Sequence, residues 1–377
     1  MRAYKYKLKP SKRIERALER TLSVCRELYN AALQERRDAY AKAGESLSFA
    51  SQCLELPDVK QARPDLRDVH SQVLQNVLKR LDRGFQNFFR RVRDGAVKAG
   101  FPRFKSKHRY NSFTYPQSGW KLEGDKLSLS KIGSMRLRLS REIEGRIKTV
   151  TLKRQVDGWF VIFAVEESYS PYIPKTGESV GIDVGIENFA TLSTGEVVEN
   201  PKYLGRAERE LKIAQRRVSK KKLRGSNRRK AARLLARGAK RIANQRRDFF
   251  HKLANQITRE FDEIAVEDLN IKGMVKNHHL AKSISDAAWN TFLQILIAKA
   301  GNAGRRVWKV AAAFTSQDCS QCGARVRKSL AVREHRCIQC GFVAHRDHNA
   351  AINILARTAP FASASIGLRD DQRILPL

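Results

Sequence analysis

The sequence predicts a multidomain α/β protein: a β-barrel with a helical insertion, then a mixed α/β unit that carries a cysteine module. Three observations predict it. Alternation at residues 2–8, and an Asp157-Gly158 turn between two strand-like runs, mark β-structure at both ends of the N-terminal half. Between them, apolar residues recur at helical spacing. Beyond residue 178, short apolar strands alternate with helical stretches, and two C-x-x-C pairs follow.

Tyr4, Tyr6 and Leu8 share one face of the first strand, and Pro10 ends it. Ser11 is placed to cap the next helix. The helical pattern continues to about Gly95, where Leu74, Val77, Leu78, Leu81, Phe85, Phe88 and Phe89 should face a core. Gln72, Asn76, Lys79 and Arg83 form a polar stripe on the opposite face. Such a stripe is either a solvated surface or a nucleic-acid contact, since amides read base edges and cations hold phosphates. Gly100, Pro102 and a basic loop (Lys105, Lys107, Arg109) close the helical block. Strands up to about residue 168 would complete the barrel, a form that often serves as an oligonucleotide platform.

After the segment SPYIPKTGE, Ser179–Asp183 and Asn188–Ser193 read as a hairpin. A basic helical segment spans 203–260, keeping Leu223, Leu234, Leu235 and Ile242 for packing. Its cations include Arg216, Arg217, Lys220, Lys221, Arg228 and Arg229. A strand at Glu263–Val266, a helix near 286–301, a strand at Arg306–Ala312 and a final helix from about Asn349 follow. The residues from about 358 to 377 have weak patterning and read as a flexible tail.

The chain has 377 residues, and 74 Lys and Arg oppose 38 Asp and Glu, a formal charge of +36. That charge repels itself unless a polyanion compensates it, and nucleic acid does so by releasing condensed counterions. No apolar run approaches the twenty residues that span a bilayer, and the basic start lacks an apolar signal region. The cysteine spacing is that of a metal site rather than a secreted disulfide framework, so a reducing cytoplasm is expected.

Cys319/Cys322 and Cys337/Cys340 can present four thiolates to one tetrahedral Zn2+, with Gly323 and Gly341 giving each knuckle its tight turn. A redox dithiol would need only one pair. His335 and His345 are alternative ligands nearby. Four thiolates leave no open position, so this zinc supports the fold and does no chemistry.

Three acids stand out. Asp183 and Glu267 each end an apolar strand, and Asp347 starts a helix just past the cysteines. Sites assemble at strand ends in α/β sheets. Carboxylates gathered there repel unless a hard cation, Mg2+ or Mn2+, lies among them, and two such ions about 4 Å apart cleave phosphodiesters. Singly, Asp183 reads as a turn residue, Glu267 as an ion-pair partner and Asp347 as a helix N-cap.

The segments GIDVGIENFATLS, RRVSKKKLRGSNRRKAA, VEDLNIKGM, LAKSISDAAWNTF, TSQDCSQCG and RDHNAAINIL resemble successive motifs of the TnpB (OrfB) family. YKYKLKPS, CRELYNAAL and GFPRFKSKHRYNSFTYPQ resemble its N-terminal half. The family comprises transposon-encoded RNA-guided DNA endonucleases similar to type V CRISPR effectors. The resemblance implies a RuvC-like RNase H fold with an inserted zinc ribbon, and an N-terminal oligonucleotide-binding-like β-barrel carrying a helical recognition insertion. On this basis residues 1–10 and 108–172 form the wedge barrel, and 11–107 the helical recognition domain. Residues 178–315 and 344–357 form the nuclease domain, and 316–343 the zinc ribbon. The resemblance puts the catalytic acids at Asp183, Glu267 and Asp347, with Ser285 and Asp286 nearby; helix capping is the competing role for that pair. It implies structural Zn2+, catalytic Mg2+ or Mn2+, a guide RNA from the transposon end, a double-stranded DNA target beside a short adjacent motif, and a bacterial or archaeal cytoplasmic, nucleoid-associated setting. The alternatives are a nuclease-silent RNA-guided regulator, a strand-transfer transposase and a plain zinc-ribbon nucleic-acid binder.

Overall fold

The computed structural model describes residues 1–166, 173–274, 276, 278–329 and 332–358. The tail expected beyond Thr358 lies outside the described residues. The chain divides into two compact units, Met1–Tyr169 and Ser170–Leu377.

The first unit begins with β1 (Arg2–Lys9) and α1 (Lys12–Ala43), followed by α2 (Phe49–Leu54), α3 (Leu56–Ala62) and α4 (Ser71–Arg93). Strands β2 (Ser112–Tyr115), β3 (Trp120–Glu123), β4 (Lys126–Leu129), β5 (Gly133–Arg138), β6 (Arg146–Gln155) and β7 (Gly158–Glu166) complete it. They join β1 in one antiparallel sheet of order β2-β6-β7-β1-β5-β4-β3. In hydrogen bonding β2 and β3 are its two edges. Alternation puts Tyr4, Tyr6 and Leu8 on the buried face, against Leu18 and Leu22 of α1 and Leu74 and Leu78 of α4. Ser11 caps α1 by accepting the Ile14 N–H.

The aromatic end of α4 departs from the sequence expectation. Leu74, Val77, Leu78 and Leu81 are buried, Phe85 and Phe88 are half-buried, and Phe89 is 61% exposed. The last turns of α4 cluster their rings on one another and on Phe101, with Phe85 and Phe88 edge-on to Phe101 at 5.4 and 5.2 Å. A helical stripe predicts a shared face but not how far along the helix the partner layer extends.

The second unit starts with β8 (Ser179–Val184), β9 (Asn188–Leu192) and β10 (Val197–Glu199). The helices α5 (Tyr203–Ser219) and α6 (Ser226–Glu260) lead to β11 (Glu263–Glu267). Then come α7 (Ile271–Met274), α8 (His278–Ala287), α9 (Trp289–Asn302) and β12 (Arg306–Val310). A small hairpin, β13 (Glu334–Arg336) with β14 (Val343–His345), precedes α10 (Arg346–Ala356). The sheet has the order β10-β9-β8-β11-β12, parallel across β8, β11 and β12 and antiparallel toward β10.

Period-two alternation sorts this sheet into two faces. Val180, Ile182, Ile264 and Val266 pack with Phe250, Leu253 and Ile257 of α6 and Phe292 and Leu296 of α9. Gly181, Asp183, Ala265 and Glu267 point the other way, where Ala265 meets Ile354 and Leu355 of α10. The layers are therefore helix, sheet, helix, with the acids on the α10 side.

Two helix expectations are corrected. The stretch near 286–301 is broken at Ala288, whose φ of +52° ends α8 and starts α9. That break buries Trp289, which donates its indole N–H to the Gly185 carbonyl at 3.3 Å. The final helix begins at Arg346 rather than Asn349. In the basic segment, Leu223 and Leu234 are 72% and 61% exposed, while Ile242 is buried. Among the described residues, no third layer covers Leu223 and Leu234 on the outer part of the α5–α6 hairpin.

Candidate active site

The parallel register pairs Ile182 with Val266, so Asp183 and Glu267 follow side by side at the ends of adjacent strands. They point to the same face, because neighbours in register on a sheet share their side-chain direction. Helix α10 covers that face. A Cβ on Gly181 would sit 2.1 Å from the Ala351 carbonyl oxygen and 2.8 Å from the Leu355 nitrogen. Glycine at 181 therefore lets backbone pack on backbone. Asp347, Ala351 and Ile354 lie on one stripe of α10 and are all buried. Packing that stripe on β8 and β11 brings Asp347 toward Asp183.

Asp347 does not cap its helix. His345 holds the N-cap position, its Nδ1 accepting the Asp347 N–H at 3.3 Å. The Asp347 carboxylate lies 3.5 Å from Arg346 Nε. On the same helix, His348 Nε2 lies 3.1 Å from the Ser193 carbonyl oxygen, which ties α10 to the end of β9.

Burial, with Glu267 and Asp347 as charged neighbours, pushes the Asp183 carboxyl up to about 8, against a smaller opposing pull from Arg346. Burial also raises Glu267, while the Thr315 hydroxyl and the charge of Arg357 oppose the rise. Glu267 Oε1 accepts the Thr315 hydroxyl at 2.6 Å. These shifts describe a cluster that resists holding its negative charges unaided.

The four cysteines converge. Their sulfurs all lie within 4.8 Å of one another, with Cys319 to Cys340 at 3.7 Å and Cys322 to Cys337 at 3.5 Å. A tetrahedron with Zn–S bonds of about 2.3 Å has edges of about 3.8 Å, so the donor set fits Zn2+. Gly323 and Gly341, at φ of +77° and +74°, turn each knuckle so that their N–H groups reach the Cys319 and Cys337 carbonyls. Backbone N–H groups of Cys340 and Gln339 hold the Cys337 thiol down to about 6. Among the described residues this is the group of metal-type ligands with that close spacing; the three carboxylates spread more widely. Three hard oxygen donors still fit Mg2+ or Mn2+, and two ions about 4 Å apart need the wider set.

The cysteine module is bonded to α10. Asn349, fully buried, accepts the Ser320 N–H at 3.0 Å and donates to the Asp318 carbonyl at 2.8 Å. Asn353 donates to the carbonyls of Thr315 and Asp318 at 2.8 and 2.7 Å. Sequence reasoning missed Thr315, Asn349 and Asn353. The one available signal was their place in the TSQDC and DHNAAIN segments that flank the ligands.

The remaining candidates have partners or exposure of their own. Asp286 accepts the N–H groups of Leu204 and Gly205 and pairs with Arg246 at 2.6 Å, so it anchors the start of α5 against α6. It caps a distant helix rather than its own. Ser285 is exposed on α8. Gln72 spends its carbonyl oxygen on the Ser118 N–H and hydroxyl. Asn76 is half-buried, and Lys79 and Arg83 are exposed. Arg216, Arg217, Lys220, Lys221 and Arg229 are exposed on the hairpin. Arg228 instead closes the hairpin turn by donating to the Val218 and Lys221 carbonyls.

Fold and site define an α/β protein with a half-buried and a buried carboxylate at adjacent parallel strand ends and a four-thiolate module beside the third acid. Family models match three stretches: "Probable transposase" over 162–278, "Cas12f1-like, TNB domain" over 289–354 and "Helix-turn-helix domain" over 1–45. The last of these covers β1 and the single helix α1 in this chain. A Streptomyces pristinaespiralis protein named "Putative RNA-guided DNA endonuclease" is 37% identical, covering 98% of this chain and 92% of its own. Escherichia coli K12 has a relative of the same description, InsQ, at 32% identity over 94% and 92%. The chain belongs to the TnpB (OrfB) family of insertion-sequence proteins. Its fold is similar to Cas12f1 solved with sgRNA and target DNA (TM-score 0.56, 17% identity, 91% and 83% coverage). It is also similar to the mini RNA-guided endonuclease Cas-phi3 (TM-score 0.51, 10% identity, 95% and 92% coverage).

Proposed function

We propose that this chain is an RNA-guided DNA endonuclease that cuts its target by divalent-metal hydrolysis. The observation that carries the reading is the shared face of Asp183 and Glu267, covered by the helix that bears Asp347. The names of the full-length relatives support the RNA guide and the DNA target. No helix among the described residues is long and apolar enough to cross a membrane. On this reading residues 178–315 and 344–357 form a RuvC-like RNase H domain, 316–343 a zinc ribbon, and 1–10 with 108–172 an oligonucleotide-binding-like barrel carrying the recognition helices 11–107. The setting is the bacterial or archaeal cytoplasm.

Asp183, Glu267 and Asp347 would hold Mg2+ or Mn2+, which supplies positive charge for water activation and for the leaving oxygen. The protein's own part is positional. The strand register sets Asp183 beside Glu267, Gly181 admits α10, and Thr315 fixes the Glu267 carboxylate. Arg346, next to Asp347, adds positive charge at the edge where a phosphate would approach. From residue 203 to 241, sixteen Lys and Arg face only two Glu, so this hairpin suits a nucleic-acid backbone. Base pairing with a guide supplies sequence choice in such systems at nearly balanced energy.

The test is to express the chain with its genomic flanks and sequence the RNA that copurifies. The complex is then offered matching DNA with Mg2+. A discrete flank-derived RNA and guided cutting that Asp183→Ala abolishes are expected. Joined rather than cut products would favour strand transfer, and absence of any bound RNA would sink the guided reading.

A further inference from the structure

Thr315 lies in the turn that leads from β12 into the cysteine module, at the head of the TSQDCSQCG segment. Its hydroxyl donates to Glu267 Oε1 at 2.6 Å, with Thr315 and Glu267 only 4% and 8% exposed. The backbone around it is held from both sides. Phe314, immediately before it, has a φ of +65°. An aromatic residue rarely adopts that conformation, so the surrounding bonds must hold it. The strained turn is kept by the Gln317 and Asp318 N–H groups, both bonded to the Phe314 carbonyl at 2.9 Å, and by Arg325, whose guanidinium lies 3.7 Å from the Phe314 ring centroid. On the other side, Asn353 of α10 donates to the Thr315 carbonyl at 2.8 Å.

From this geometry we propose that Thr315 is a positioning residue: its hydroxyl fixes the Glu267 carboxylate in the orientation that receives the divalent cation. The inference rests on the nuclease reading of the carboxylates. A buried carboxylate can rotate about its last bond, and each orientation offers different oxygens to a cation. A single short hydrogen bond from a rigid donor selects one. Thr315 engages one oxygen of Glu267, which leaves the other for the cation. Asn353 links the same residue to α10, so the turn that aims Glu267 also references the helix that bears Asp347. Partners that orient a ligand in this way are worth roughly 10–100-fold in metal affinity or activity.

The experiment compares wild type, Thr315→Val and Thr315→Ser as RNA-loaded complexes. Mn2+ binding is followed by electron paramagnetic resonance, and cleavage is measured against Mg2+ concentration. Target-DNA binding, zinc content and melting temperature are recorded alongside. Thr315→Val is expected to weaken Mn2+ binding and raise the half-saturating Mg2+ concentration, each roughly tenfold or more. DNA binding and zinc content should be unchanged, and Thr315→Ser should restore both metal readouts to within about twofold, since it keeps the donor. Equal metal dependence of Thr315→Val and wild type overturns the role. So does a Thr315→Ser variant as impaired as Thr315→Val, which would mark the methyl group as the important feature. If wild type takes up Mn2+ but cuts no DNA, the nuclease reading fails, and the Mn2+ comparison alone still decides the positioning role.

Discussion

Gly181 and Ala351 meet backbone to backbone: any side chain at 181 would place its first carbon 2.1 Å from the Ala351 carbonyl oxygen. This contact sets the distance between β8 and α10. Gly181→Ala must push the helix away, and overpacking of this kind costs about 1–3 kcal/mol or more. A lowered melting temperature is expected, with loss of cleavage at temperatures where the variant is still folded and still binds RNA. Unchanged cleavage in a folded Gly181→Ala protein would show that the α10 spacing does not matter.

Asp183 makes a pH prediction with a definite sign. Its carboxyl is pushed from 3.8 up to about 8 by burial and by two neighbouring acids. Between those values the folded chain keeps a proton that the unfolded chain has lost. The Asp183 contribution to metal-free stability is therefore full below pH 3.8, declines as pH rises, and is lost above about 8. Glu267, raised by burial, adds to the same trend. Urea midpoints at pH 5 and pH 8 should differ in this direction, and Mg2+ should stabilise more at pH 8.

Asp183→Asn follows from the same imbalance. It removes the need to take up a proton at this position on folding, so it should stabilise the apo protein at pH 7 by about 1–2 kcal/mol while abolishing cleavage. Denaturant melts and a guided cleavage assay read the two effects separately. A destabilised variant would mean that the carboxylate makes structural bonds.

The cysteine module should bind one Zn2+ per chain, measurable by elemental analysis. Asn349→Ala removes the bonds to Ser320 and Asp318 and leaves the part-buried Ser320 N–H without that acceptor, at about 1–3 kcal/mol, while the Asp318 carbonyl keeps Asn353. Zinc content should persist in this variant while cleavage falls, because the module would remain folded but lose its grip on α10. Loss of zinc on Asn349→Ala would show instead that the bond supports the knuckle.

Replacing Arg216, Arg217, Lys220 and Lys221 by alanine should weaken RNA binding and lower the slope of log affinity against log salt by about three. Fold stability should barely change, as all four are exposed. A salt slope equal to wild type would remove the hairpin from the nucleic-acid path.

Much of this was legible in the sequence. Alternation identified β1 and its buried Tyr4 and Tyr6, and local chemistry identified Ser11 as a cap. The thiolate spacing announced a four-sulfur cluster before any coordinates. Asp183 and Glu267 could be placed at strand ends because their strands are short and apolar. The rest depended on partners distant in the chain. Phe89, Leu223 and Leu234 follow helical periods yet stay exposed, since a period does not reveal where the neighbouring layer stops. Asp286 caps α5, more than eighty residues earlier, and capping rules see only the next turn. Thr315 carries no signal of its own, because its meaning comes from a carboxylate that only the strand order brings near.

Helix α10 also sets a schedule. It supplies the third acid and is the last described element to be synthesised, while its seat at Gly181 is made much earlier. A ribosome-bound chain would therefore display the basic hairpin, ready for its RNA, well before the acidic centre is whole.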